Sequence, residues 1–289
     1  MYSFFSYAIL SVAKNRSKKT NGKARGKTMK TTNVVYYENE LNEDFASTKI
    51  TTKKIDSGYV YYHGSIFKKA IHFFLYRIIA APLAFLYLKI FFAHKIIGGK
   101  KMHKFKKTGY FIYGNHTQDI ADAYIPHMIS FTKDKYMIVH PDSVSIPVFG
   151  KITPYLGAIP LPGDIGAYRN FLDVIEKHIR KSKAIVIYPE AHIWPYCTHI
   201  RPFTDVSFSY PVKLDVPVFC FTNTYHKRKI LRTVKITTYV DGPFYRNPEL
   251  SPREQRKALR DDVYSCMCER AKLSSFEKIK YVKKELSDD

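Results

Sequence analysis

The chain has 289 residues, enough for one large domain or two small ones, and its 45% hydrophobic content is that of a globular protein rather than a disordered one. The formal net charge of +22 and sequence pI of about 9.7 point to an anionic partner: membrane lipid, nucleic acid or a phosphorylated substrate. Four cysteines (Cys197, Cys220, Cys266, Cys268) contain no CxxC set, which argues against a zinc site and reads as reduced thiols in a cytosolic chain.

The chain opens on apolar Phe4, Phe5, Tyr7, Ile9 and Leu10. Its basic residues follow this run instead of preceding it, unlike a secretory signal. Residues 13 to 30 carry Lys14, Arg16, Lys18, Lys19, Lys23, Arg25, Lys27 and Lys30 with almost nothing apolar, the composition of a disordered basic arm. Such an arm fits an anionic bilayer and equally fits a tail with no binding role. Val34–Tyr37 reads as a strand. The stretches 50 to 55 and 59 to 62 flank the turn signal Asp56-Ser57-Gly58, which predicts a hairpin.

The most apolar stretch follows, from Ile71 to Ala93, with no charge between Arg77 and Lys89. That uncharged run is short of the ~20 residues a spanning helix needs. Pro82 predicts a bend, and Arg77 and Lys89 can reach head groups from either end. The pattern predicts a helical pair or bent helix lying in one leaflet, with a buried core helix as the alternative.

Tyr110-Phe111-Ile112-Tyr113 reads as a short buried strand that Gly114 and Asn115 break. His116 follows, with Asp119 and Asp122 close behind, and a helix is predicted from Ala123. A strand end that delivers a histidine and a carboxylate into a turn can hold a base and its orienting partner. Taken alone, His116 reads better as an ordinary satisfied histidine, and only the blocks further along the chain reverse that reading. Beyond it, strands are predicted at 136–139, 183–188, 216–221 and 234–240, the last ended by Asp241-Gly242-Pro243. Helices are predicted at 166–179 and after the capping box Ser251-Pro252-Arg253-Glu254, and the tail from Lys278 reads as charged and frayed. Near-continuous apolar strands alternating with helices predict an α/β fold, a mixed and mostly parallel sheet flanked by helices, with an apolar membrane-associating helical segment near the N-terminus.

Four blocks in order resemble the glycerolipid acyltransferase family: Asn115-His116-Thr117-Gln118 with Asp122, Gly157-Ala158-Ile159-Pro160, Tyr188-Pro189-Glu190, and Val216-Pro217-Val218. The similarity covers roughly residues 66 to 245. It implies transfer of an acyl group from a thioester, acyl-CoA or acyl carrier protein, to the hydroxyl of a lysophospholipid such as 1-acyl-glycerol-3-phosphate, with no cofactor and no metal. By the same resemblance His116 is the general base, Asp122 orients it, backbone N–H groups near Gly157 stabilise the oxyanion, and Glu190 helps bind the acceptor. Asn115 and Arg201 complete the expected substrate-binding set, with hydrogen bonding of the turn as the alternative role for Asn115.

The pattern departs from the family in three places. The family's acid stands five positions after its histidine, which here is Ala121; Asp122 is one further, and Asp119 remains a rival partner. The second block continues as Leu161-Pro162, and the third as Ala191-His192-Ile193, so both phosphate-binding arginines are missing from their usual places. Arg169 and Arg201 are the substitutes at hand. His192, Trp194 and Tyr196 follow Glu190 closely and fit either an acceptor pocket or loop packing. The organisation expected is a basic arm at 1–32, a hairpin extension at 33–65, a membrane-associating segment at 66–100, an acyltransferase domain at 101–275 and a charged tail at 276–289. The partners expected are the thioester donor, the lysophospholipid and an anionic membrane surface at the cytoplasmic face, held peripherally or monotopically. No RNP, KH or helix-turn-helix signature supports nucleic-acid binding. The competing reading is a catalytically idle relative that binds lipid or membrane.

Overall fold

The computed structural model describes residues 33–46, 51–61, 65–131, 133–147, 149–228 and 233–284. The basic arm expected at 1–32 lies outside the described residues. Seven strands form one sheet: β2 (Lys95–Ile97), β3 (Tyr110–Gly114), β4 (Lys135–Val139), β5 (Ala158–Pro160), β6 (Ala184–Ile187), β7 (Val218–Lys227) and β8 (Val234–Phe244). Their spatial order is β2-β8-β7-β3-β6-β4-β5, and every neighbouring pair is parallel except β7 and β8. This is the mixed, mostly parallel sheet expected from the strand composition.

Both faces of the sheet are covered, which is why β3 and β6 are apolar at every position and fully buried. Alternate residues of β3 serve opposite faces. Tyr110 and Ile112 pack with Leu88, Phe92, Ile125 and Phe221. Phe111 and Tyr113 pack with Phe171, Ile175, Val263 and Met267. The first face carries α1 (Ile66–Phe92) and α2 (Ala121–Ile129), the second α4 (Ile165–Arg180) and α6 (Pro252–Ala271); the short α3 (Asp142–Ser145) and α5 (Ser209–Leu214) lie in connections. Asp164 caps α4 by accepting from Ala167 N–H at 2.7 Å. At α6 the predicted box forms in both directions, Glu254 N–H to Ser251 Oγ and Ser251 N–H to Glu254 Oε2, a cap worth about 1 kcal/mol.

The apolar segment is one continuous helix rather than a pair. A π-helical stretch, Phe74–Ala80, runs into Pro82, with Ala81 N–H donating to Tyr76 O five residues back. This widening falls beside the residue that lacks an N–H donor. The helix buries only a narrow stripe: Tyr76, then Ala84, Leu88 and Phe92 at four-residue spacing. Ile66, Phe67, Phe73, Phe74, Ile78, Leu83, Phe85, Leu86, Ile90 and Phe91 are all exposed. The helix is long and apolar enough to cross a membrane by length and composition, with only 17% of its most apolar window buried.

Two expectations for the chain ends are corrected. No hairpin forms at 33–65 among the described residues; β1 (Asn33–Tyr37) instead pairs in parallel with β9 (Ile279–Lys283), so the tail from Lys278 is partly a strand. Only the turn survives, with Gly58 N–H on Asp56 Oδ1 and Tyr59 N–H on Asp56 O. Thr51, Thr52, Lys53 and Lys54 offer no alternating apolar face. Ile55 is buried, its carbonyl accepts Gly163 N–H, and Asn170 reaches Ser57 O, which ties the segment to the start of α4. The third correction is smaller: β8 continues through Asp241-Gly242-Pro243 to Phe244.

Candidate active site

The central strands β3 and β6 end side by side while β7 runs on beyond them, and the side chains of interest gather at this carboxyl edge. Gly114 ends β3, and a Cβ there would lie 2.1 Å from the Phe221 ring. The loop that follows holds His116, whose side chain is 19% exposed, against Asp122, whose side chain is 2% exposed. His116 Nδ1 meets Asp122 Oδ2 at 2.9 Å. The same oxygen accepts the N–H groups of Thr117 at 2.8 Å and Gln118 at 2.9 Å, so the carboxylate organises the whole loop. Asp122 stands in the first turn of α2, where the helix dipole favours a negative charge. Asp119, the rival partner, lies in the turn at Asp119-Ile120 and is exposed.

The His116 ring stacks on Tyr188 at 4.4 Å between centroids, and the Tyr188 hydroxyl donates to Asp122 O at 2.6 Å. Asn223 on β7 donates from Nδ2 to Asp122 Oδ1 at 3.3 Å. Burial pushes the Asp122 carboxyl up; the hydrogen bond and charge of His116 and the two loop N–H groups pull the other way. With Nδ1 committed to the acid, His116 Nε2 has no protein partner among the described residues. That leaves a ring nitrogen able to take a proton from a hydroxyl, beside a carboxylate able to stabilise the imidazolium.

Glu190, expected to bind the acceptor, is enclosed at the end of β6. Its side chain is 0% exposed and its oxygens accept from His116 N–H, Arg201 N–H and Arg201 Nη2. Burial raises the Glu190 carboxyl, against the lowering charge of Arg201. Arg201, also expected to touch substrate, is 1% exposed, paired to Glu190 at 3.0 Å, bonded to His192 O and lying over the Trp194 ring. Both residues therefore brace the His116 loop from beneath. Asn115 is 1% exposed and clamps β7 through two bonds, Nδ2 to Asn223 O and Oδ1 from Asn223 N–H. Trp194 is fully buried among Tyr37, Phe45 and Tyr281 with its indole N–H on Glu43 O, so packing is its role.

Gly157 is the clearest correction. It precedes β5, three strands across from β3, and the register sets it level with Phe111, well short of His116. Its N–H is taken by Pro154 O at 3.2 Å. Its φ is +94° and a Cβ would lie 2.5 Å from Lys135 O, so glycine is required there for the backbone, not for an oxyanion. Arg169 is exposed on α4, and no contact ties it to His116. Sequence reasoning missed Asn223 and the stacking role of Tyr188. The available signal was Thr222-Asn223-Thr224, three polar residues at 0–1% exposure inside an apolar strand.

Comparison with known proteins bears on the same region. Residues 96–222 match the Acyltransferase family model. The crystal structure of the 1-acyl-sn-glycerophosphate (LPA) acyltransferase PlsC from Thermotoga maritima is similar at 20% identity and a TM-score of 0.48, over 72% of this chain and 81% of that one. No curated protein matches the chain. All four sequence blocks lie in order inside the segment that matches the Acyltransferase model.

Proposed function

We propose that this chain is an acyltransferase that moves a fatty acyl group from acyl-CoA or acyl carrier protein to the hydroxyl of a lysophospholipid such as 1-acyl-glycerol-3-phosphate, in phospholipid biosynthesis. The observation that carries the reading is the 2.9 Å contact between His116 Nδ1 and Asp122 on a loop open to solvent at the ring. In this mechanism Nε2 takes the acceptor's proton as its oxygen attacks the thioester carbonyl carbon. The tetrahedral adduct then collapses, the C–S bond breaks, and the departing thiolate takes the proton back from His116. Asp122 keeps the ring oriented and stabilises its charged form. General-base catalysis of this sort is worth about 10²- to 10⁴-fold.

The lipid acceptor fits the exposed apolar face of α1, which would rest in the cytoplasmic leaflet with the enzyme held peripherally or monotopically. The net charge of +22 fits an anionic membrane surface. Arg201 is enclosed, so of the two arginines weighed as phosphate partners only Arg169 stays exposed. A panel of lysolipids with and without phosphate, offered with both thioester donors, identifies the acceptor.

The deciding variant is His116→Ala. Acyl transfer is expected to fall by about 10³-fold or more while the melting temperature holds. Retained transfer sinks the mechanism. Lipid binding without turnover of any donor by the native chain would leave the idle lipid-binding relative in its place.

A further inference from the structure

Behind Asp122 a line of buried polar side chains crosses β7 and β8 and ends on His94, the residue before β2. Asn223 Nδ2 donates to Asp122 Oδ1 at 3.3 Å, Thr238 Oγ1 donates to Asn223 Oδ1 at 2.7 Å, and His94 Nε2 meets Thr238 Oγ1 at 2.8 Å. Asn223, Thr238 and His94 are 1%, 0% and 3% exposed. The proton positions are fixed by elimination. Asn223 Oδ1 can only accept, so Thr238 spends its one proton there. Thr238 Oγ1 must then accept from His94, which carries its proton on Nε2. Burial lowers the His94 pKa to about 4, so the ring is the neutral donor this requires. Both ends also agree on the orientation of the Asn223 amide.

We infer that His94, Thr238 and Asn223 form a positioning relay that holds the Asp122 carboxylate in register with His116. The inference rests on the general-base reading above. Asn223 and Thr238 are direct cross-strand partners on β7 and β8, where an apolar pair would pack without any hydrogen-bonding demand. Instead each polar group is satisfied by the next, in one direction, ending on the acid. Asn115 pins the Asn223 backbone and so fixes the last link. The far end is fastened to the apolar helix: His94 lies two residues beyond Phe92, its N–H donates to Leu88 O, and its carbonyl accepts Lys89 Nζ. The relay thus runs from the end of α1 to the acid of the site.

The charged and titratable groups around this line are few. Asp122 is faced by His116, Tyr188 and Tyr225; Glu190 and Arg201 lie behind the His116 backbone; Lys89 faces His94. Removing Asn223's donor leaves Asp122 Oδ1 without it, which makes the carboxylate more basic and lets the His116–Asp122 pair hold its proton to higher pH.

The test is an NMR titration of the His116 ring in the full chain in detergent, its signal assigned by its loss in His116→Ala, read beside kcat and KM. Asn223→Ala is expected to move the titration up by about half a unit to one unit, the size of one hydrogen bond, and to lower kcat roughly tenfold with KM little changed. Thr238→Val moves both in the same direction by less, and Thr238→Ser restores them. An unshifted titration in a folded Asn223→Ala chain overturns the relay. Should that variant not fold, identical titrations for Thr238→Val and Thr238→Ser overturn it instead. The titration needs no turnover, so a native chain that transfers no acyl group refutes the proposed function while the relay is still decided.

Discussion

Two carboxylates are enclosed at opposite edges of the same sheet, and they are held in opposite ways. Asp122, at the carboxyl edge, has no permanent cation on it: it meets two backbone N–H groups, the Asn223 amide and the His116 ring. Asp134, just before β4 at the amino edge, is held by two cations, with a histidine beside them. Arg77 reaches its Oδ1 at 2.6 and 3.0 Å, Lys183 its Oδ2 at 2.5 Å, and His72 stands 3.8 Å away. Burial pushes Asp134 up, but His72, Lys183 and Arg77 outweigh it and hold the carboxyl well below the usual range. At Asp122 burial wins and the carboxyl is raised. A pair of cations makes a carboxylate a permanent anchor, here tying α1 to β4 and β6. A shell without a permanent cation fixes its position yet leaves it able to answer a charge that comes and goes on the neighbouring imidazole.

The sharpest way to break this contrast is to neutralise both acids. Asp122→Asn keeps the shape but removes the charge that the proposed mechanism sets against the imidazolium, and kcat is expected to fall by about 10³- to 10⁴-fold. A steady-state assay on folded protein checks it, and a loss under tenfold would make Asp122 a loop brace and no more. Asp134→Asn should do the reverse. It leaves Arg77 and Lys183 facing each other without their anion, which should lower stability by about 2–3 kcal/mol with little change in kcat. Urea melts separate the two.

The pH dependence of stability follows from the same shells. The folded-state value of Asp134 lies below its unfolded value of about 3.9, so the protons bound by the unfolded chain exceed those of the native one in the acid range. Its contribution is present in full above about pH 5 and drains away as pH falls below about 4 toward the depressed folded value. Melts of the native chain and Asp134→Asn should therefore converge as the pH is lowered through that window.

Sequence reasoning reached the Asp122 shell only in part, and the reasons are physical. His116 and Asp122 lie six residues apart on a strand end and a helix start, so local spacing shows them. Asn223, more than a hundred residues away, joins them only because β7 lies against β3 in the sheet, and strand order is not a local property. Asp134 was passed over for the same reason: its partners come from positions 72, 77 and 183. The parallel pairing of β1 with β9, from the two ends of the chain, is more distant still. Gly157 shows the converse. A glycine can be demanded by a φ of +94° and a close carbonyl, and sequence alone does not tell that demand from a need for N–H donors. Glu190 and Arg201 were placed in the right neighbourhood, but their mutual pairing, which turns them inward, depends on the loop's path.

The finest division of the Asp122 shell is at Tyr188, which does two things at once. Its ring stacks on His116 and its hydroxyl donates to the Asp122 backbone carbonyl. Tyr188→Phe retains the first and deletes the second. If the Asp122 shell acts by fixing position, losing one donor to a carbonyl outside the carboxylate should lower stability by about 1 kcal/mol and change kcat by only about threefold. Tyr188→Leu removes the flat surface as well and should lower kcat further, because the ring of His116 is then free to tilt away from Asp122. A Tyr188→Phe chain as inactive as Asp122→Asn would mean that the hydroxyl, not the stack, is what keeps the base aligned, and the division between positioning shell and charged partner would have to be redrawn around Tyr188.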